Sequence, residues 1–304
     1  MYFLRRLALL LPLLLVIISL AFVLVRAIPG GPFDRERRPA SPEIERQLQA
    51  RYHLDEPIWK QYARFLGSLA RGDFGPSLKY RNHTVTDIIR QGLPVSLTLG
   101  ALAFGLALGV GIPLGYLGAA RRGHWQDFAG SFFAILMVCI PGFVLAPLLI
   151  IVFGIELRLL PVGLWASPAQ TILPVTALGL YYSGRIARLM REGMMNTMQS
   201  EFITSARAKG LSEHAVLLKH GFRLAVLPVI SYCGPLLADL LTGSFVIETI
   251  FQLPGIGMFF VNSIANRDYT MIVGLVTLYA TLLIALNLAV DLAYTLLDPR
   301  VRYE

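Results

Sequence analysis

Charge is scarce in this sequence. Only 15% of its 304 residues are Asp, Glu, Lys or Arg, against about a quarter in an average soluble domain. The charges are also gathered into clusters, leaving long uncharged runs that exclude an ordinary water-facing surface. Cysteine is nearly missing: Cys139 and Cys233 both fall within apolar runs, so neither a disulfide framework nor a paired-cysteine metal site can be assembled, and both read as packing residues. Nucleotide-gripping and hydrolytic motifs are missing as well. A P-loop needs Gly-Lys followed by Ser or Thr, yet the four lysines precede Gln61, Tyr80, Gly210 and His220. HExxH, GxSxG and GxGxxG do not occur, and His53, His83, His124, His214 and His220 form no ligand pair at i, i+4. His214 and His220 read as solvated surface. No catalytic residue, metal site or cofactor site is expected in this chain.

What the sequence has instead is apolar length. Hydrophobic residues make up 55% of the chain, and about 20 in succession suffice to cross ~30 Å of hydrocarbon. Six segments qualify: Leu7 to Val25, then stretches within Gly92 to Ala120, Phe128 to Ile155 and Leu159 to Gly184, then Leu224 to Ile247 and Tyr269 to Val290. The expected fold is an all-α polytopic membrane protein with six transmembrane helices. Arg5 and Arg6 before an apolar run also fit a signal peptide. The apolar core is long for one, however, and Val25-Arg26-Ala27-Ile28-Pro29 offers no small-x-small cleavage site, so the segment reads as a retained anchor.

Short basic loops mark the cytoplasmic side. Arg121 and Arg122, between the second and third spans, fall on the same side as Arg5 and Arg6, which puts both termini inside. The formal charge of +8 therefore speaks of topology, not of nucleic acid. Residues 1–28 form the first span, 29–91 an extracytoplasmic segment, and 92–304 the remaining five spans, with a basic cytoplasmic loop over 185–223. Ser41 with Pro42 begins one helix in the extracytoplasmic segment, and Ile58, Tyr62, Phe65, Leu66 and Leu69 form the stripe of another after Pro57. Gly72-Asp73-Phe74-Gly75-Pro76-Ser77 reads as a turn-rich loop. This segment is either a lid over the outer ends of the spans or a docking surface.

An acid at bilayer depth is costly unless it faces protein or water. Asp239, with Thr242 a face-sharing step away and Gly243 beside it, faces a substrate cavity or makes a structural polar contact. Glu248 stands at the outer gate or is a plain interfacial carboxylate. Pro113, Pro141-Gly142, Pro174 and Pro235 interrupt the spans, and are expected mostly as packing features that membrane helices tolerate.

The basic loop carries Phe202-Ile203-Thr204-Ser205-Ala206-Arg207-Ala208-Lys209-Gly210-Leu211-Ser212, with Leu227-Pro228 further on. This resembles the coupling loop of bacterial ABC importer permeases, in the peptide and nickel branch. Thr204 and Ser205 stand where the wider family has Glu and Ala, and the run to Leu227-Pro228 is longer than the widespread spacing. Other stretches extend the resemblance: Tyr52-His53-Leu54-Asp55-Glu56-Pro57, Gly72 to Ser77, Gly243 to Phe251, Leu253-Pro254-Gly255-Ile256-Gly257 and Asp298-Pro299-Arg300. They look like the B-type subunit of peptide importers.

The resemblance implies a pore subunit in a bacterial inner membrane. It would form half of an oligopeptide pathway beside a C-type permease, with two ATPase subunits that carry ATP and Mg, and an extracytoplasmic peptide-binding protein. Residues 204–211 would dock on the ATPase. Dipeptide, glutathione and nickel chelate importers are close relatives. An unrelated membrane enzyme or secondary transporter is the other reading, and would require a catalytic set or inverted repeats.

Overall fold

The computed structural model describes residues 2–28, 42–80 and 82–297, with side chains over the same range except 2–8, 42, 44–46, 48, 241–243 and 290–297. The expected cap Ser41, the side chain of Thr242 and the motif Asp298-Pro299-Arg300 lie outside it. Among the described residues the fold is helical, with one isolated antiparallel bridge between Pro76 and Thr84.

In chain order the helices are α1 (Tyr2–Ala27), α2 (Pro42–Arg51), α3 (Ile58–Leu69), α4 (Val85–Ala120), α5 (Trp125–Cys139) and α6 (Gly142–Leu149), which runs on as a π-helix over Ile150–Glu156. Then come α7 (Pro168–Met198), α8 (Glu201–Ala208), α9 (Glu213–Ala215) with a π-helical turn Val216–Gly221, α10 (Phe222–Ala225), α11 (Leu227–Ile250), α12 (Ile256–Asn266) and α13 (Tyr269–Leu297). The described residues form two compact units, one from residues up to Ser96 together with Pro254–Ala285, the other from Leu97–Leu253 together with the end of α13 from Leu286.

Among the described residues, three helices are long and apolar enough to cross a membrane alone: Leu9–Ala27, Val85–Ala120 and Tyr269–Ala289. Two bent pairs pass when each is taken together. Trp125–Cys139 with Gly142–Glu156 turns through 102°, and Glu213–Ala225 with Leu227–Leu240 through 43°. Pro141-Gly142 is thus a sharp break in the expected third span, not a tolerated packing feature. Pro141 is extended, at φ −59° and ψ 143°, and a proline also pushes the residue before it out of the helical region, here Ile140 at ψ 110°. Cys139 ends exposed beside the break instead of packed.

α7, which holds the expected fourth span, is not among these apolar helices. Thr171, Thr176, Tyr181, Tyr182 and Ser183 dilute its hydropathy. Its shelter comes from neighbours, since it packs against α5, α6, α10 and α11. It also stays helical to Met198, so the expected loop over 185–223 is helix for its first 14 positions. Small residues permit this central placement. A Cβ on Gly111 of α4 would lie 2.7 Å from the Ile186 Cβ. One on Gly115 would strike the Ala187 carbonyl and lie 2.7 Å from the Met190 Cβ. On α5 the large exposed residues Trp125, Phe128, Phe132 and Ile135 recur at three- and four-residue spacing and form one exposed apolar stripe.

In the first unit, part of the expected stripe on α3 turns inward, while Ile58 stays exposed. Tyr62 and Phe65 pack on Phe22, Val25, Tyr269 and Val273, with the Tyr62 ring edge-on to Phe22 at 5.1 Å between centroids. The turn-rich loop is pinned by a buried acid. Asp268 Oδ2 accepts the Ser77 hydroxyl at 2.5 Å, while its Oδ1 accepts the Met271 N–H at 3.1 Å and so caps α13.

Candidate functional site

The expected coupling segment is a short helix standing on a small core. Ile203 and Ala206 of α8 are buried against Val216, with Met198 packed alongside. Phe202, Thr204, Ser205, Arg207, Ala208, Lys209, Gly210 and Leu211 are exposed. Burying only positions i and i+3 of an eight-residue helix leaves the rest of its circumference as a protruding face. The end is defined by Gly210, whose φ of +78° suits a residue without a Cβ, and whose N–H donates to the Arg207 carbonyl at 2.9 Å. Ser212 then caps the next turn, its hydroxyl accepting the Ala215 N–H at 3.4 Å.

Across this turn the Arg207 guanidinium grips Glu213 in two places, Nη2 to Oε1 at 2.6 Å and Nε to Oε2 at 3.1 Å. The hydrogen bonds from Arg207 hold the Glu213 carboxyl below its usual range. The contact is therefore complete at neutral pH and is lost only as acid titrates Glu213. Both side chains are exposed, so its value lies in fixing the turn more than in stability.

The segment is tied to α7 at Gly193, where an added Cβ would strike the Ala225 carbonyl of α10. One residue, Val226, separates α10 from α11, so the protruding helix is joined by a short covalent path to the helix that carries Asp239.

Asp239 is exposed and lines a cavity of about 420 Å³ with Tyr181, Arg185, Arg188, Glu192 and Tyr232. On α7, Tyr181, Arg185, Arg188 and Glu192 share one face at positions i, i+4, i+7 and i+11. The Arg185 guanidinium lies over the Tyr232 ring, 4.7 Å from its centroid. Glu248 is placed differently. It is fully buried and accepts the Ser244 hydroxyl at 2.9 Å. Nine residues along a helix rotate it about 180° from Asp239, so the two acids do not share a face.

Sequence reasoning missed the α7 half of this cavity, because its arginines read as loop charges. It also missed Asp127, which is buried and meets Arg191 through Nε at 2.7 Å and Nη2 at 3.0 Å. A single acid in the first turn after Arg121-Arg122 was the available signal. Asp127 also accepts the Gly123 N–H at 3.1 Å, locking the short loop to α7. Replacing Asp127 with Ala is expected to cost about 1–2 kcal/mol, since hydrogen bonds to charged groups contribute ~1.5–3 and Arg191 is partly solvated. A melting curve of the solubilised protein reads this directly, and an unchanged midpoint would show the pair to be idle.

The described residues thus form a membrane-type helical protein with an exposed short helix near a helix that lines a polar cavity. Residues 111–303 match the family described as binding-protein-dependent transport system inner membrane component, and the chain belongs to that family. It is similar to the oligopeptide transport system permease protein OppB of Haemophilus influenzae, 44% identical over 98% of both chains. It is equally similar to the Salmonella typhimurium OppB, 44% identical over 99% of both. The dipeptide transport system permease protein DppB of Bacillus subtilis is 44% identical, covering 95% of this chain and 94% of its own. Among solved structures, the inward-facing MetNI methionine ABC transporter shares the fold, with a TM-score of 0.58 at 17% identity over 69% of this chain and 96% of that one.

Proposed function

We propose that this chain is one of two pore subunits of an ATP-driven peptide importer in a bacterial inner membrane, with both termini in the cytoplasm. The observation that carries the reading is the short path from the exposed α8 through α10 to the Asp239 cavity, in a chain alike along nearly its whole length to oligopeptide permeases. In this reading α8 and residues 209–211 dock on a separate ATPase that binds ATP and Mg. A C-type permease supplies the other half of the pore, and an extracytoplasmic binding protein delivers the peptide. Dipeptides are the second reading, favoured by the equal identity to a dipeptide permease.

Within the cavity the two carboxylates, Asp239 and Glu192, and the two guanidiniums suit a zwitterionic chain, and the tyrosines give it a permissive wall. Asp239→Lys is expected to lower uptake of peptides with a free amino end by an order of magnitude, with assembly unchanged. Wild-type uptake by that variant would remove Asp239 from the pathway.

The experiment for the whole reading is affinity purification from the native membrane in mild detergent, followed by ATPase assay with peptide-loaded binding protein. Recovery of a second permease and two ATPases with peptide-stimulated hydrolysis is the expected result. Recovery of the chain alone would shift the reading to a membrane enzyme or a secondary transporter.

A further inference from the structure

At the outer end of the first span, two neighbouring hollows share Phe22. The upper one, about 150 Å³, has Arg26, Arg51 and Arg64 in its wall. Arg26 stacks on the Phe22 ring at 3.5 Å and donates Nε to Gln61 Oε1 at 3.1 Å, which fixes its charge beside the hollow. Glu56 offsets part of this charge through Arg64, at 2.9 Å, leaving a net cationic mouth.

The lower hollow, about 340 Å³, lies between α1 and α3 and is lined by Ser19, Phe22, Val23, Ile58, Trp59 and Tyr62. Its two hydroxyls are engaged with each other, Ser19 Oγ and the Tyr62 oxygen lying 2.5 Å apart, and Ser19 also donates to the Leu15 carbonyl at 2.6 Å. The lining therefore offers mostly carbon. Val23, Ile58 and Trp59 are more than half exposed, so it is open to an occupant.

The two hollows follow one another along α1. Ser19 precedes Arg26 by seven helical residues, ~10 Å deeper, and Leu9–Ala27 is the span itself. With α1 as a span, the guanidiniums would come at the headgroup level and the apolar groove on their acyl side. Trp59 lines the groove from its exposed side, with Lys60 Nζ 5.5 Å from its ring centroid.

We propose that this site holds one anionic phospholipid, its phosphate among Arg26, Arg51 and Arg64 and one acyl chain in the groove between α1 and α3. A protein partner with an acidic surface would use the charges but has no use for an apolar groove at acyl depth. Charge complementarity together with that continuity favours the lipid.

The test is native mass spectrometry of the full-length chain as it purifies, alone or with partners, titrated with phosphatidylglycerol and separately with phosphatidylcholine of the same acyl chains. The measurement does not depend on transport. Phosphatidylglycerol is expected to bind at least tenfold more tightly. The double variant Arg51→Gln with Arg64→Gln should weaken it about tenfold or more, at roughly fivefold per guanidinium, and leave phosphatidylcholine unchanged. Arg51→Lys with Arg64→Lys should keep the preference. Val23→Trp, which fills the open groove from an exposed position, should weaken both lipids alike. Equal affinity for the two lipids would mean an annular shell only and would overturn the proposal. So would a double Gln variant that binds lipid normally but loses stimulation by the binding protein, since the surface would then belong to a protein.

Discussion

Replacing Gly210 with proline is expected to reduce peptide uptake at least tenfold while the chain remains in the membrane at its normal level. The proline ring holds φ near −65° and removes the N–H, whereas Gly210 has φ +78° and donates to Arg207. The turn that ends α8 cannot then close, and the Arg207–Glu213 grip across it is lost. Nothing lies within 4 Å of an added Cβ at this position, so the damage is confined to backbone geometry and leaves the core beneath α8 intact. Alanine is the graded control. It meets no obstruction, and pays only the left-handed backbone penalty of ~1–2 kcal/mol. Its uptake should fall between wild type and the proline variant. Transport assays alongside membrane immunoblots separate the two effects, and wild-type uptake by the proline variant would mean α8 plays no part in coupling.

Gly115→Leu should act on the fold itself, removing the chain from the membrane fraction or lowering its melting point beyond that of any surface change. The α4 and α7 backbones touch here, with an added Cβ striking the Ala187 carbonyl and lying 2.9 Å from the Arg191 nitrogen. Backbone atoms cannot rotate away as a side-chain tip can. Overpacking of a close-packed core costs ~1–3 kcal/mol even where side chains relax, and forcing two helices apart exceeds that. Separation would also disturb the neighbouring Asp127–Arg191 pair. Gly105→Leu, on the same helix with nothing within 4 Å of an added Cβ, should stay within ~0.5 kcal/mol of wild type. If both variants behaved alike, close α4–α7 contact would be refuted.

The all-α class was legible because apolar length survives in composition, and the positions of α1, α4 and α13 follow it closely. So was the turn after α8, since Gly210 and Ser212 carry local signals that need no distant partner. α7 was half legible. Its length past Gly184 was hidden because arginines were counted as loop residues, although Arg185 and Arg188 face a cavity and Arg191 meets an acid 64 positions away. Such pairings depend on tertiary approach and leave no periodic trace. The break at Pro141 was visible as a residue but not as an angle, because proline in a membrane helix is compatible with both a mild kink and a full reversal. Glu248 shows the same limit, since a carboxylate near a helix end reads alike whether it is gated, interfacial or sealed beside Ser244.

The single residue between α10 and α11 makes the latter a lever. Asp239 lies 12 residues beyond Leu227, ~18 Å along the axis, and Glu248 lies ~32 Å along it. A tilt of about 5° pivoting at Val226 would carry Asp239 through ~1.5 Å and the Glu248 end through nearly twice that distance. For such a rigid tilt the displacement grows in proportion to distance from the pivot. If α8 is the docking element, a small shift there would correspond to a displacement of about 3 Å at the Glu248 end of α11.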